Sequence, residues 1–277
     1  MTTPDVDLER EPRGLAELWS RRELLRELSL RELRARYRGT VLGQLWSLVN
    51  PLASMLMYTA VFGYLLKIQV PPGDPSGLDL FAVWLLCGLL PWTFLSRSVD
   101  SGMGALVVNA GLVKKVWFPR SILVISLIAS WLVTFATEVL VLVAVLVVAG
   151  QMFAPLWALA ALPVLALLAL FCCGVGLFLS VLNVYFRDTT QLVAIGMQVW
   201  FYATPVVYPV SLVPEGLRTV YGLNPMYRFT ACLRSLLYDG RLPRWQDLLA
   251  CTVAAVVTAV AGWWTFRRFE PRLAEEL

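Results

Sequence analysis

The sequence predicts an all-α integral membrane protein with six transmembrane helices. An amphipathic interfacial helix precedes them, and short re-entrant helices come before the last span. Three observations carry that class. Of 277 residues, 58% are hydrophobic and only 15% are charged, where soluble domains carry about 25% charged residues. Several apolar stretches exceed the ~20 residues that cross a hydrocarbon core. The Arg and Lys residues between those stretches cluster mostly on one side when the stretches alternate in direction.

Residues 1–13 (MTTPDVDLEREPR) read as a disordered tail, and the first forty residues lack the early apolar run of a cleaved secretory signal. Residues 14–40 form one amphipathic unit. Leu18, Leu25 and Leu28, then Leu30, Leu33 and Tyr37, recur at helical spacing among Arg and Glu, the pattern of a basic helix lying in the headgroup plane. The spans follow as Val41–Leu66, Leu80–Val108, Ser121–Val148, Pro155–Leu182, Leu192–Val210 and Leu248–Phe266. Pro163 falls inside the fourth, where neighbouring helices tolerate it.

Arg10, Arg13, Arg21, Arg22, Arg26, Arg31, Arg34, Arg36 and Arg38 precede the first span. Lys114, Lys115 and Arg120 follow the second, Arg187 the fourth, and Arg267, Arg268 and Arg272 the sixth. Six alternating spans put all of these on one side, so both termini are expected to be cytoplasmic. Segment 211–247 dissents, because it carries Arg218, Arg228, Arg234, Arg241 and Arg244 yet falls outside. It is semi-apolar and broken at Asn224-Pro225, which fits two short helices that enter the membrane without crossing it. A seventh span is the competing reading.

Catalytic chemistry is sparse. His is absent, removing the commonest general base and metal ligand. Cys87, Cys172, Cys173, Cys232 and Cys251 show no C-x-x-C spacing, so neither a zinc site nor a disulfide framework is expected. Asp5-Val6-Asp7 spells the D-x-D of metal–nucleotide sites but lies in the tail. Arg97 and Asp100 are spaced to pair on one helix face. Glu138 stands alone in an apolar run, where it can serve an interhelical hydrogen bond or a proton site. No Gly-Lys dipeptide occurs, which excludes a P-loop. Energy for a pump would therefore come from another chain's ATPase or from an ion gradient, and the single isolated carboxylate favours the ATPase.

Five ordered signatures then become specific: RELRARYRGTVLGQLWSLVNPL (31–52), LVKKVWFPRS (112–121), NVYFRDTTQL (183–192), ATPVVYP (203–209) and LNPMY (223–227). Together they resemble the membrane (permease) subunit of ABC-2-type polysaccharide exporters, the family that exports O-antigen, teichoic acid, capsular glycan and galactan. The resemblance covers the chain from about Leu24 to the C-terminal tail and treats 41–277 as the ABC-2-type transmembrane domain. It implies a homodimer working with two copies of a cytoplasmic ABC ATPase subunit, which binds the ATP and Mg. This chain is expected to carry no catalytic residue, cofactor or metal and to bind no nucleic acid. The expected substrate is a polysaccharide linked to undecaprenyl diphosphate or a similar polyprenyl carrier, moved across the cytoplasmic (inner) membrane among membrane lipids.

The resemblance also implies roles for residues. The helix over 14–40 becomes a gate helix whose Arg34, Arg36, Tyr37 and Arg38 meet the lipid diphosphate. Segment 109–120 becomes the coupling element that docks on the ATPase, with Lys114 and Lys115 for acidic partners, Trp117 and Phe118 as the apolar anchor, and Pro119 ending the docking turn and starting the next span. Tyr185, Phe186, Arg187 and Asp188 face the same partner, and Asp188 is expected to cap the fifth span. Trp46, Trp92, Trp200, Phe201, Tyr202 and Tyr208 are candidates to line the glycan path. Segment 211–247 becomes an outer gate broken at Asn224-Pro225, with Pro205 and Pro214 also assigned to that gate. A permease for a drug or small lipid, a gradient-driven glycan flippase and a membrane glycosyltransferase are the competing functions.

Overall fold

Apolar residues in continuous runs leave the backbone no partner but itself in lipid, and the chain answers with helices throughout. The computed structural model describes residues 21–41, 43–115 and 118–277, without the side chains of Tyr37, Gln44, Ala274 and Glu275. The tail over 1–13, the first part of the amphipathic unit and Trp117 lie outside the described residues. In chain order the helices are α1 (Arg22–Tyr37), α2 (Trp46–Tyr58), α3 (Phe81–Val108), α4 (Ala110–Lys115), α5 (Ser121–Val148) and α6 (Ala154–Tyr185). They continue with α7 (Thr189–Tyr202), α8 (Glu215–Leu223), α9 (Pro225–Arg234), α10 (Trp245–Phe269) and the short α11 (Leu273–Glu276). No strand forms among the described residues.

Five helical stretches are long and apolar enough to cross a membrane: α2 with its π-helical continuation to Leu65, α3, α5, α6 and α10. The stretch expected as the fifth span, Leu192–Val210, is not one of them. Helix α7 is 14 residues long, about 21 Å, and ends where Thr204-Pro205 removes a backbone donor. Yet the chain still travels from one end of the bundle to the other between α6 and α10, because these two helices run parallel. Tyr185 packs edge-on against Phe269 at one end, with centroids 5.7 Å apart. Gly174 meets Thr258 and Gly262 in the middle, and Trp157 lies beside Gly240 at the other end. Residues 186–244 make the traverse as a half-length helix, an irregular strip and two short helices.

Helices α3, α5, α6 and α10 form the packed core, with α6 touching the other three. Backbones of α6 and α10 approach so closely at Gly174 and Gly262 that a Cβ on either would collide with main-chain atoms of the other. Small residues do this work in membranes because lipid tails give no hydrophobic drive to hold helices together. Helix α1 lies along α5, and α2 and α7 lean mainly on α3 from one side. The basic side chains Lys114, Lys115, Arg267 and Arg268 mark one end of the bundle, and α8 and α9 mark the opposite end.

Candidate functional site

At the basic end, α4 presents Lys114 and Lys115 fully to the surroundings while Val113 is buried. Phe118 is half-buried against the core and Pro119 is buried. The segment is tied down by the far end of the chain: Glu270 accepts from the Arg120 backbone N–H at 3.2 Å, and the Arg120 guanidinium donates to the Glu270 carbonyl. Arg267 reaches the same carboxylate at 3.4 Å. The turn between α6 and α7 sits nearby, with Phe186, Arg187 and Asp188 exposed and Tyr185 turned inward, edge-on to Phe269.

One expectation fails in this turn. Asp188 occupies the position before α7, but its side chain caps nothing. The turn is held instead by Asn183, which donates to the Met103 carbonyl of α3 at 3.2 Å and accepts from Thr190 at 2.9 Å. An Asn in an apolar helix end was the available signal for it.

Along α1, Arg34 and Arg38 are exposed, whereas Arg36 is engaged. Its guanidinium donates to Ser130 at 3.0 Å and Thr134 at 3.5 Å and lies 3.2 Å above the Trp131 ring. Arg97 of α3 stands 5.0 Å from the same ring. The expected Arg97–Asp100 pairing does not form: Arg97 bonds across the interface to Glu138 of α5 at 3.3 Å. A charge in lipid needs a fixed, desolvated partner, and Glu138 offers one with only 2% side-chain exposure. Glu138, which looked isolated in sequence, is therefore half of an ion pair between helices.

A cavity of about 510 Å³ opens beside this pair, between α2, α3 and α7. Its wall combines Tyr58, Trp92, Phe201 and Tyr202 with Arg97, Asp100 and Gln198. The aromatic side chains touch one another. Trp92 meets Trp200 edge-on at 5.8 Å and Phe201 at 5.3 Å, and Phe201 meets Tyr202 at 5.3 Å and Tyr58 at 6.2 Å. Thus four expected path residues are brought together, and Tyr58 joins them. Trp46 is not among them, since it lies in the first turn of α2, about 18 Å along the helix axis from Tyr58. Tyr208 sits at the far end, donating to the Tyr202 carbonyl at 2.6 Å and sharing a 3.0 Å contact with the Tyr221 hydroxyl.

The opposite end explains the dissenting arginines. Irregular backbone at membrane depth must find its hydrogen bonds inside the protein, and here arginine side chains supply many of them. Arg234 donates to the carbonyls of Pro205 at 2.8 Å, Val206 at 2.7 Å and Trp84 at 3.4 Å, and stacks 3.5 Å above the Trp84 ring. Arg228 donates to the Gly222 carbonyl at 2.8 Å and pairs with Asp247. Arg218 reaches the carbonyls of Val213 at 3.1 Å and Ser211 at 3.3 Å, and Arg241 pairs with Asp239 at 3.1 Å. These four side chains are engaged in contacts within the protein, so their charge need not report the side of the membrane.

The predicted break at Asn224-Pro225 is where α8 gives way to α9, and its amide is fully used. Oδ1 accepts from Trp200 Nε1 at 2.9 Å and from the Met226 N–H at 3.0 Å. Nδ2 donates to the Ala203 carbonyl at 3.2 Å and to Thr204 Oγ1 at 2.9 Å. Pro225 opens α9 at a position that needs no donor. Pro205 is buried under Arg234, and Pro214 is the exposed residue before α8. Asn224 was legible as a breaker, but its grip on the end of α7 was not.

A bundle of long apolar helices with one broken traverse is the architecture of a multi-pass membrane protein. The chain belongs to the ABC-2 type transporter family, whose model matches residues 23–238. It is 34% identical over 266 residues to the O-antigen export system permease protein RfbA of Myxococcus xanthus, covering 95% of this chain and 97% of that protein. It is 28% identical over 256 residues to the Klebsiella pneumoniae protein of the same name, covering 92% and 95%. It is 25% identical over 244 residues to the polysialic acid transport protein KpsM of Escherichia coli, covering 88% and 92%. These relatives bear out the resemblance to polysaccharide-exporter permeases.

Proposed function

We propose that this chain is the permease subunit of an ATP-driven exporter that moves a polyprenyl-linked polysaccharide across the cytoplasmic membrane. Two copies face each other across α2 and α7, and the glycan passes between them. The observation that carries this reading is the open side of the bundle. Leu56 and Met57 on α2, Tyr64 on its π-helical continuation, and Leu192, Ile195 and Val199 on α7 are exposed on the side where the aromatic and polar cavity opens. Lipid-facing surfaces need neither ring clusters nor Arg, Asp and Gln. Sugar rings present C–H faces that stack on aromatics, and successive repeats offer the same faces, so a polymer can slide.

In this reading the basic end is cytoplasmic. Exposed Lys114 and Lys115 meet acidic residues of a separate nucleotide-binding subunit, which holds ATP and Mg, and Phe118 and Pro119 stiffen the docking turn. Phe186, Arg187 and Asp188 extend that surface. Arg34 and Arg38 attract the carrier diphosphate at the inner leaflet, each contributing about 1 kcal/mol near an anionic surface. Segment 211–247 closes the outer end.

The test is export of carrier-linked glycan by proteoliposomes holding this chain and its ATPase. Lys114→Glu with Lys115→Glu should abolish export while ATP is still hydrolysed by the partner, and full export by that variant would sink the docking assignment. A second reading, a small-lipid or drug permease, is favoured by the cavity volume of about 510 Å³, which suits a compact ligand. It predicts that carrier lipid without its glycan is moved as fast as the loaded carrier.

A further inference from the structure

The polar cluster behind the cavity joins α1 to α3 through one side chain of α5. Arg36 stacks at 3.2 Å on the Trp131 ring, while Arg97 approaches the same ring only to 5.0 Å. Two cations competing for one indole repel each other, and the weaker-held one is displaced. Arg36 has the ring plus Ser130 and Thr134. Arg97 has Glu138 at 3.3 Å, and with 23% of its side chain exposed it forms part of the cavity wall. Trp131 is itself fixed, since its Nε1 donates to Ser101 at 2.6 Å and Ser101 donates to the Arg97 carbonyl at 2.7 Å. Asp100, one turn further along α3, is exposed on the same wall.

We propose that Trp131 is a positioning residue through which the seating of α1 decides whether Arg97 faces the cavity. With α1 docked, Arg36 occupies the ring and holds Arg97 out toward the cavity. With α1 lifted, Arg97 swings onto the vacated Trp131 ring while keeping Glu138, and Asp100 remains as the charge on the wall. An anionic head group, of the phosphate class, is thereby gripped when α1 is docked and released when it lifts. That use rests on the transport reading above, whereas the joint between α1 and Arg97 does not.

The test reads the cavity without reading export. Gln198→Cys places a thiol on the α7 side of the cavity, and the parent chain, whose native cysteines are buried or half-buried, gives the background. Purified protein is labelled with an anionic sulfonatoethyl and a cationic trimethylammonioethyl methanethiosulfonate, and the ratio of the two rates is compared. Arg36→Gln should lower the anionic-to-cationic ratio about threefold, and Arg36→Lys, which keeps the cation on the ring, should leave it near the parent value. Arg97→Gln should lower the ratio by itself and cancel any further effect of Arg36→Gln. Trp131→Leu should also cancel the response to Arg36→Gln. An unchanged ratio in folded Arg36→Gln protein overturns the joint. So does a shift that persists in full in the Arg97→Gln background, because that is plain through-space charge. If the ratio moves as stated but export of glycan is insensitive to Arg97→Gln, the joint stands and the transport use of the cavity is removed.

Discussion

Helix α3 and helix α2 are both apolar, both contain a proline, and both can span a membrane, yet 78% of the apolar stretch of α3 is buried and only 6% of that in α2 with its continuation. Composition does not separate them, because their mean hydropathy is the same, 1.3 in each. The difference is in what each face carries. Helix α3 sets Gly102 against Gly176 of α6 and stacks Phe94 on Phe135 of α5 at 4.9 Å, and so is buried along most of its length. Helix α2 turns Leu56, Met57, Tyr64 and Leu65 outward and touches the core mainly along α3. In water such exposure would mark a partner; in lipid it is permitted, so only the polar and aromatic cavity beside α2 and α7 distinguishes a working face from a lipid-facing one.

That contrast can be broken from the closed side first. Gly262→Leu drives a side chain into the Gly174 backbone, and we expect no folded protein in detergent by size-exclusion chromatography. Leu56→Ala with Met57→Ala on the open side should leave the monomer's melting temperature unchanged. Next, Arg234→Met strips the donors from the Pro205, Val206 and Trp84 carbonyls. It should cost about 3 kcal/mol, read as a lowered thermal midpoint. Glu138→Gln keeps an acceptor for Arg97 but removes the charge, and should cost about 1–2 kcal/mol in the same assay. The smallest effect is expected at Asp188, where the carboxylate caps nothing. Asp188→Ala should shift stability by under about 0.5 kcal/mol, and a loss of export in that variant would then report on partner contact alone.

The sequence was most legible where one rule acted alone. The span over Ser121–Val148 was read to the residue, and the helix break at Asn224-Pro225 followed from proline chemistry. It was least legible where helices exchange partners. Arg97 has Asp100 one turn away in sequence but takes Glu138, because attraction to a buried carboxylate is not screened by water as it is to an exposed one. The Arg residues of 211–247 read as a violation of topology, and Arg218, Arg228 and Arg234 target carbonyls scattered from Trp84 to Gly222, which no local spacing encodes. The fifth span read as a full helix because apolar character continues past Tyr202, while Pro205 and the side chains of Asn224 and Arg234 give the backbone there an alternative to the helix. Arg36 illustrates the same limit: its charge pattern is visible, but its seat on Trp131 depends on how α1 lies against α5.

The central claim is that two copies meet across α2 and α7. Spin labels at Leu56→Cys on α2 and, separately, at Val257→Cys on the exposed face of α10 test it by pulsed electron–electron double resonance in nanodiscs. The account predicts one interspin distance between copies for each site, shorter at 56 than at 257. A shorter distance at 257, or no intermolecular coupling at 56 in protein that exports glycan, would contradict it.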